Sequence, residues 1–170
     1  MMPFPENFDQ NEWFVLITLF LSFLCIFICP KKIPFSIAIL MMIFSLTIAR
    51  LADHLLASPK FDLYNIMDSG KYEFFDLILY IVYAPFGYFF VYIYEILKVK
   101  RYWIILYIFL WSSFGAFFEW IAVQKEVFVY KQWELPYSFT FYVFTQALTL
   151  ILYDFLKKRH PYYQQKRSQL

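Results

Sequence analysis

A chain of 170 residues that is 62% hydrophobic, 25% aromatic and 16% charged, with a mean hydropathy of +0.54, carries more apolar surface than a soluble domain of its length can bury. The excess must face lipid. Three glycines, eight scattered prolines and a net charge of +2 argue against low-complexity or disordered character, and no repeat or Gly/Ser-rich linker divides the chain, so one integral membrane domain over residues 1–170 is expected.

The amino-terminal residues Glu6, Asp9 and Glu12 are acidic and no basic residue precedes the first apolar run, so an uncleaved first helix is expected rather than a signal peptide. That run, at about residues 13–29, holds Cys25 and Cys29, read as small packing residues rather than as a redox pair or metal site. Further apolar runs follow at about 33–56, 74–97, 102–123 and 137–155, each near the 20 residues that a hydrocarbon core requires. Backbone groups in lipid must bond internally, so these are predicted helices. The expected fold is an all-α membrane protein, a five-transmembrane-helix bundle with a basic tail at 156–170.

The connections alternate in character. Lys31-Lys32, Lys98-Val-Lys100-Arg101 and the tail carry ten of the fifteen basic residues; Lys60, Lys71, Lys125 and Lys131 fall in the other loops and Arg50 lies within the second span. The positive-inside rule then puts the N-terminus outside and the C-terminus in the cytoplasm of a cell (plasma) membrane protein. Two short inner turns predict antiparallel hairpins of spans one and two and of spans three and four. Residues 57–72 carry turn signals at Pro59 and Asp68-Ser69-Gly70 with room for a short interfacial helix between, and residues 124–136 suggest an extended or hairpin-like excursion. Trp13, Trp120 and Trp133 suit an outer aromatic belt, Trp103 an inner one.

Ionisable residues inside spans mark candidate sites. Glu95 before Lys98, and Asp154 before Lys157 and Lys158, read as groups that reach water or form local ion pairs at helical spacing near the inner interface. The outer half is richer. Arg50, Asp53 and His54 share a face of the second span, with Thr47 one turn deeper; Asp76, Tyr80 and Tyr83 share a stripe on the third. Ser112, Gly115 and Glu119 line up on the fourth, and Ser138, Tyr142, Gln146 and Thr149 on the fifth. At 1.5 Å per residue, Arg50, Asp76, Glu119 and Tyr142 all fall roughly 5–10 Å below the outer boundary.

Two readings of this candidate ligand-binding cluster (Arg50, Asp53, His54, Asp76, Tyr80, Glu119, Tyr142 and Gln146) stay open. In one, Arg50 neutralises Asp76 or Glu119, and tyrosine and glutamine complete a buried network. In the other, a pocket open to the outside binds a cation, a proton or a lipid headgroup. Arg50 cancels only one carboxylate, which leaves two of Asp53, Asp76 and Glu119 to be protonated, solvated or bound. His54 and the three acids are ligand types for a divalent ion, but their spacing matches no metal motif and Arg50 would repel a cation, so no metal and no cofactor are expected. No HExxH, P-loop, GxGxxG or GxSxG occurs. Ser112, Ser113, Gly115 and Ala116 give the fourth span a small-residue face for close helix packing.

The run from Trp111 through Ser112-Ser113 to Phe118-Glu119-Trp120, followed by Tyr130-Lys-Gln-Trp133 and Tyr137-Ser138 to Tyr142, resembles a family of small five-pass membrane proteins of endospore-forming Firmicutes. The loop from Phe61 to Ser69 and the Tyr83-Ala-Pro-Phe86 run also fit, and the likeness covers roughly residues 50–155. It implies architecture and host type rather than an activity. This chain has Gln124-Lys125-Glu126 where relatives commonly have a glycine turn.

The expected role is non-enzymatic: a small binding, sensing, accessory or permeation protein. Its expected partners are membrane lipids and a further copy or another membrane subunit, with no nucleic acid. The alternative is an intramembrane enzyme acting on a lipid or isoprenoid headgroup, with Asp76 or Glu119 as acid–base and Tyr142 or His54 assisting.

Overall fold

The computed structural model describes residues 8–67 and 74–168, with side chains to residue 165. Glu6, the Asp68-Ser69-Gly70 turn, Lys71 and the side chains of Lys166 and Arg167 lie outside the described residues. Five helices are long and apolar enough to cross a membrane: α1 (Gln10–Ile28), α2 (Phe35–Leu56), α3 (Phe74–Leu97), α4 (Trp103–Gln124) and α5 (Leu135–Arg159). Large apolar side chains such as Phe20, Phe27, Phe35, Ile105, Phe144 and Ile151 cover the outside of the bundle. The chain is an all-α, multi-pass membrane protein.

Local chemistry sets the helix ends. The Glu12 carboxylate accepts the Asp9 N–H at 2.8 Å and Asp9 Oδ1 accepts the Asn11 N–H at 3.1 Å, a reciprocal cap that starts α1. Pro136 occupies the first turn of α5, where no backbone donor is needed, and Lys157, Lys158 and Arg159 complement the dipole of its last turn. Both features make α5 longer than its apolar run. Beyond His160 the basic tail forms a short helix, α6 (Pro161–Ser168). It is pinned by Tyr163, which is buried and lies 3.3 Å from the Tyr153 hydroxyl.

The central element is α3, with 61% of its membrane window buried against 17–22% for the other four spans. Backbones come closest between α2 and α3, α4 and α5, and α1 and α3. The expected hairpin partners α1 and α2, and α3 and α4, are not the tightest neighbours. Small residues decide this. At Gly87 of α3 a Cβ would lie 2.4 Å from Ser45 Cβ of α2, so only glycine allows that approach, and Ser45 Oγ donates to the Tyr83 carbonyl at 2.9 Å. Between α3 and α4, paired rings hold the helices apart: Phe90 stacks on Tyr107 (centroids 5.2 Å) and Phe86 meets Phe118 at a tilt (5.0 Å).

At the end of the bundle that holds the tail, Glu95 does not pair with Lys98. The helix ends at Leu97 and Lys98 turns left-handed (φ 49°), which removes it from helical spacing. Lys157 of α5 reaches across to Glu95 instead, and Tyr153 donates to the same carboxylate at 2.9 Å. The expected local pair of Asp154 with Lys157 is therefore absent as well.

The opposite end is closed by two strands, β1 (Tyr64–Ile66) and β2 (Phe128–Tyr130), paired antiparallel with Tyr64 opposite Tyr130 and Ile66 opposite Phe128. No interfacial helix forms over the described part of the first loop. Its Tyr-Asn-Ile triplet alternates buried and half-buried side chains, the period of a strand, and the Phe-Val-Tyr of the second loop supplies a partner. The pairing is reinforced where the Leu63 carbonyl accepts from the N–H groups of Lys131, Gln132 and Trp133 at 3.0–3.1 Å, and where Lys131 pairs with Asp62 at 2.6 Å. The turn into β2 places Glu126 at φ 60°, the left-handed conformation that glycine adopts most readily.

Candidate functional site

The strand pair is a lid that delivers one phenol to each of two carboxyl groups. Tyr64 of β1 donates to Asp53 Oδ1 of α2 at 2.6 Å, and Tyr130, its cross-strand partner, donates to Glu119 Oε1 of α4 at 2.5 Å. Directly opposed residues on one face of a sheet lie about 5 Å apart, so pairing the strands brings both hydroxyls to the bundle together. Burial first, then the adjacent carboxyl group, pushes both phenols above the usual tyrosine range, which keeps them protonated donors.

Glu119 is fully engaged. Its Oε1 also accepts from Ser138 Oγ at 2.7 Å, its Oε2 accepts from the Tyr142 hydroxyl at 2.5 Å, and Ser138 in turn accepts from the Trp133 indole N–H at 2.7 Å. Every donor comes from the Tyr130–Tyr142 stretch. Gly115, one turn before Glu119, lets the Tyr142 ring lie against α4, because an added Cβ would sit 3.2 Å from Tyr142 Cδ2. Substitution there separates two effects. Gly115→Ala gains about 1 kcal/mol of helix propensity and displaces Tyr142 by a few tenths of an ångström, so its unfolding midpoint in detergent should stay close to the parent's. Gly115→Leu has no such space and should lose about 2–3 kcal/mol in the same titration.

Asp53 is different. It is only 8% exposed, yet Oδ2 has no hydrogen-bond partner among the described residues. Asp53 and Glu119 line one cavity of about 140 Å³ between the helices, beneath the lid. Tyr64, Tyr83, Phe118, Tyr130, Trp133 and Tyr142 contribute aromatic wall, while Ser45, Thr145, Gln146 and Thr149 add polar groups deeper in the bundle. Among the described residues no lysine, arginine or histidine lines it.

Of the eight residues singled out from the sequence, the cavity gathers Asp53, Glu119, Tyr142 and Gln146. Arg50 lies elsewhere. Its guanidinium carbon stands 5.0 Å above the Tyr80 ring, with Nη1 3.4 Å from that hydroxyl, and no salt bridge joins it to Glu119. Of the two partners expected for Arg50, Asp76 or Glu119, Glu119 accepts hydrogen bonds from hydroxyl groups instead. Asp76 is buried outside the cavity lining, and His54 is exposed rather than turned inward, since it follows Asp53 by one residue, or 100° around the helix. Tyr64, Tyr130 and Trp133 were not among the eight, and in the sequence they stand beside polar loop residues, Tyr64 before Asn65, Tyr130 before Lys131 and Trp133 between Gln132 and Glu134. Among the described residues no group of three or more His, Cys, Asp or Glu side chains gathers as a metal site. No protein-family model, no curated protein and no solved structure matches the chain.

Proposed function

We propose that the protein binds a small molecule in this cavity and acts without catalysis, as a receptor or as the ligand-binding subunit of a membrane assembly. The observation that carries the reading is the buried Asp53, its Oδ2 without a donor, on the wall of an aromatic-lined cavity. A carboxyl oxygen removed from water without a donor costs about 1–3 kcal/mol, and a ligand that donates to it recovers that loss on binding. Largely preformed, mostly apolar cavities with a few convergent polar groups are the common form of small-molecule sites. Glu119 supports binding rather than acid–base chemistry, because both of its oxygens already accept from hydroxyl donors, two on Oε1 and one on Oε2. An enzyme acting on a lipid or isoprenoid headgroup fits less well, since two carboxyl groups and no basic side chain line the described wall.

The setting that suits this role is the plasma membrane of an endospore-forming bacterium, with the lid outside and the basic tail in the cytoplasm. Ten of fifteen basic residues on the tail side support that orientation, and the Glu119–Tyr142 motif supports the host type. Lipids surround the spans, and a second copy or another subunit would complete an assembly.

Benzyl alcohol tests the cavity itself. In lipid nanodiscs it should raise the unfolding midpoint of the parent protein through mass action on the folded state. It should not do so for Ala52→Phe, whose ring fills the void beside Asp53. Equal shifts in both proteins, or none in either, would sink the binding reading.

A further inference from the structure

The cavity wall carries more information than its volume. Three kinds of occupant are conceivable, and the wall chemistry separates them. An anion meets two carboxyl groups and no basic side chain among the described residues. A purely apolar molecule satisfies the ring faces but leaves Asp53 Oδ2 buried and without a donor. A protonated amine satisfies both.

The acceptor surplus is specific. Glu119 already takes three hydroxyl hydrogens, so it adds negative potential without needing another donor. Asp53 takes one, from Tyr64, and has one oxygen left. That oxygen belongs to a side chain only 8% exposed, so bulk water is a poor source of the missing hydrogen bond. The rings of Tyr64, Tyr83, Trp133 and Phe118 line the same cavity, and aromatic faces attract a cation within about 6 Å of the ring centroid. A hydrogen bond between an ammonium and a carboxylate is of the stronger, charge-assisted kind. Size follows from the void. At about 140 Å³ it is close to the roughly 150 Å³ cavity known to hold benzene in another protein, so the guest is about one six-membered ring with a short substituent.

We infer that the cavity takes a small organic ammonium ion bearing at least one N–H, with its nitrogen on Asp53 Oδ2 and its apolar body against the aromatic wall. This rests on the reading of the cavity as a binding site and names the ligand class for it. The lid places Tyr64 so that Asp53 keeps one oxygen for the guest, and Glu119 is held rigid so that its charge faces the same space.

Benzylamine and benzyl alcohol provide the test, since they share a ring and a shape and differ in charge at neutral pH. Titrated into the nanodisc-embedded protein and followed by tryptophan fluorescence, benzylamine should bind at least about tenfold more tightly than the alcohol. In Asp53→Asn the two should fall within about twofold of each other. If the alcohol binds in a manner abolished by Ala52→Phe but the amine is no tighter, the ammonium assignment is overturned while the cavity remains a binding site. If neither ligand distinguishes the parent from Ala52→Phe, both readings fall. An amine preference that survives in Asp53→Asn overturns the placement of the nitrogen. Should Asp53→Asn fail to fold, the amine-to-alcohol ratio in the parent protein alone decides.

Discussion

Glu119→Ala is expected to lose about 3–5 kcal/mol of stability in detergent, the largest loss for any single substitution at the lid end of the bundle. The carboxyl group accepts from Tyr130, Ser138 and Tyr142, and all three hydroxyls lose their acceptor at once. Two of the donors sit on α5 and one on β2, so the change loosens the α4–α5 contact and the lid together. Glu119→Gln should lose less, because its amide keeps one carbonyl acceptor and offers N–H groups to hydroxyls that can reverse their polarity. Tyr142→Phe and Ser138→Ala should each cost about 1–2 kcal/mol. Combined with Glu119→Gln they should be strongly non-additive, with an interaction of about 1–3 kcal/mol in a double-mutant cycle. A Glu119→Ala loss under about 1 kcal/mol, or simple additivity in the cycle, would show that the three hydroxyl bonds do not act as a unit.

Gly87→Ala should come next, at about 3 kcal/mol. The added methyl would lie 2.4 Å from Ser45 Cβ and 2.9 Å from the Met41 carbonyl oxygen, and backbone cannot yield as a flexible side chain would. The gain in helix propensity, about 1 kcal/mol, does not offset a forced separation of α2 from α3. Ser45→Gly in the same chain removes the nearer obstacle and should restore part of the loss, leaving the Met41 carbonyl contact as the residual strain. The same separation moves α2, which carries Asp53, away from the α3 wall of the cavity. Gly87→Ala should therefore weaken ligand binding as well as the fold, whereas Gly115→Ala should leave both nearly intact. Urea or dodecyl sulfate titrations of the single and double variants read the first effect, and benzylamine titrations read the second.

The spans were legible because each is a local property. About 20 apolar residues and the need to bond the backbone internally define a helix without reference to any partner. The depth of the polar residues was legible for the same reason, since a constant rise per residue converts sequence position into height. That arithmetic puts Arg50, Asp76, Glu119 and Tyr142 at one level; of these the cavity holds Glu119 and Tyr142, and it adds Asp53 and Gln146 from the same faces of α2 and α5.

Partner choice did not follow, because it depends on contacts between distant segments. Formal charge pointed Arg50 at Asp76 or Glu119, but the fold lays Arg50 on Tyr80 and gives Glu119 three hydroxyl donors from the next helix and loop. Helical spacing pointed Glu95 at Lys98, but a left-handed residue at the helix end hands it to Lys157, 62 positions away. The Tyr64–Tyr130 pairing decides which oxygen of Asp53 is left without a donor, and it joins two loops separated by two spans. Composition and periodicity, then, determined that this is a five-span membrane protein with polar groups gathered at one depth. Tertiary structure alone decided which of them bond to each other and which one is left without a donor, because only the packed chain sets the side-chain distances on which those bonds depend.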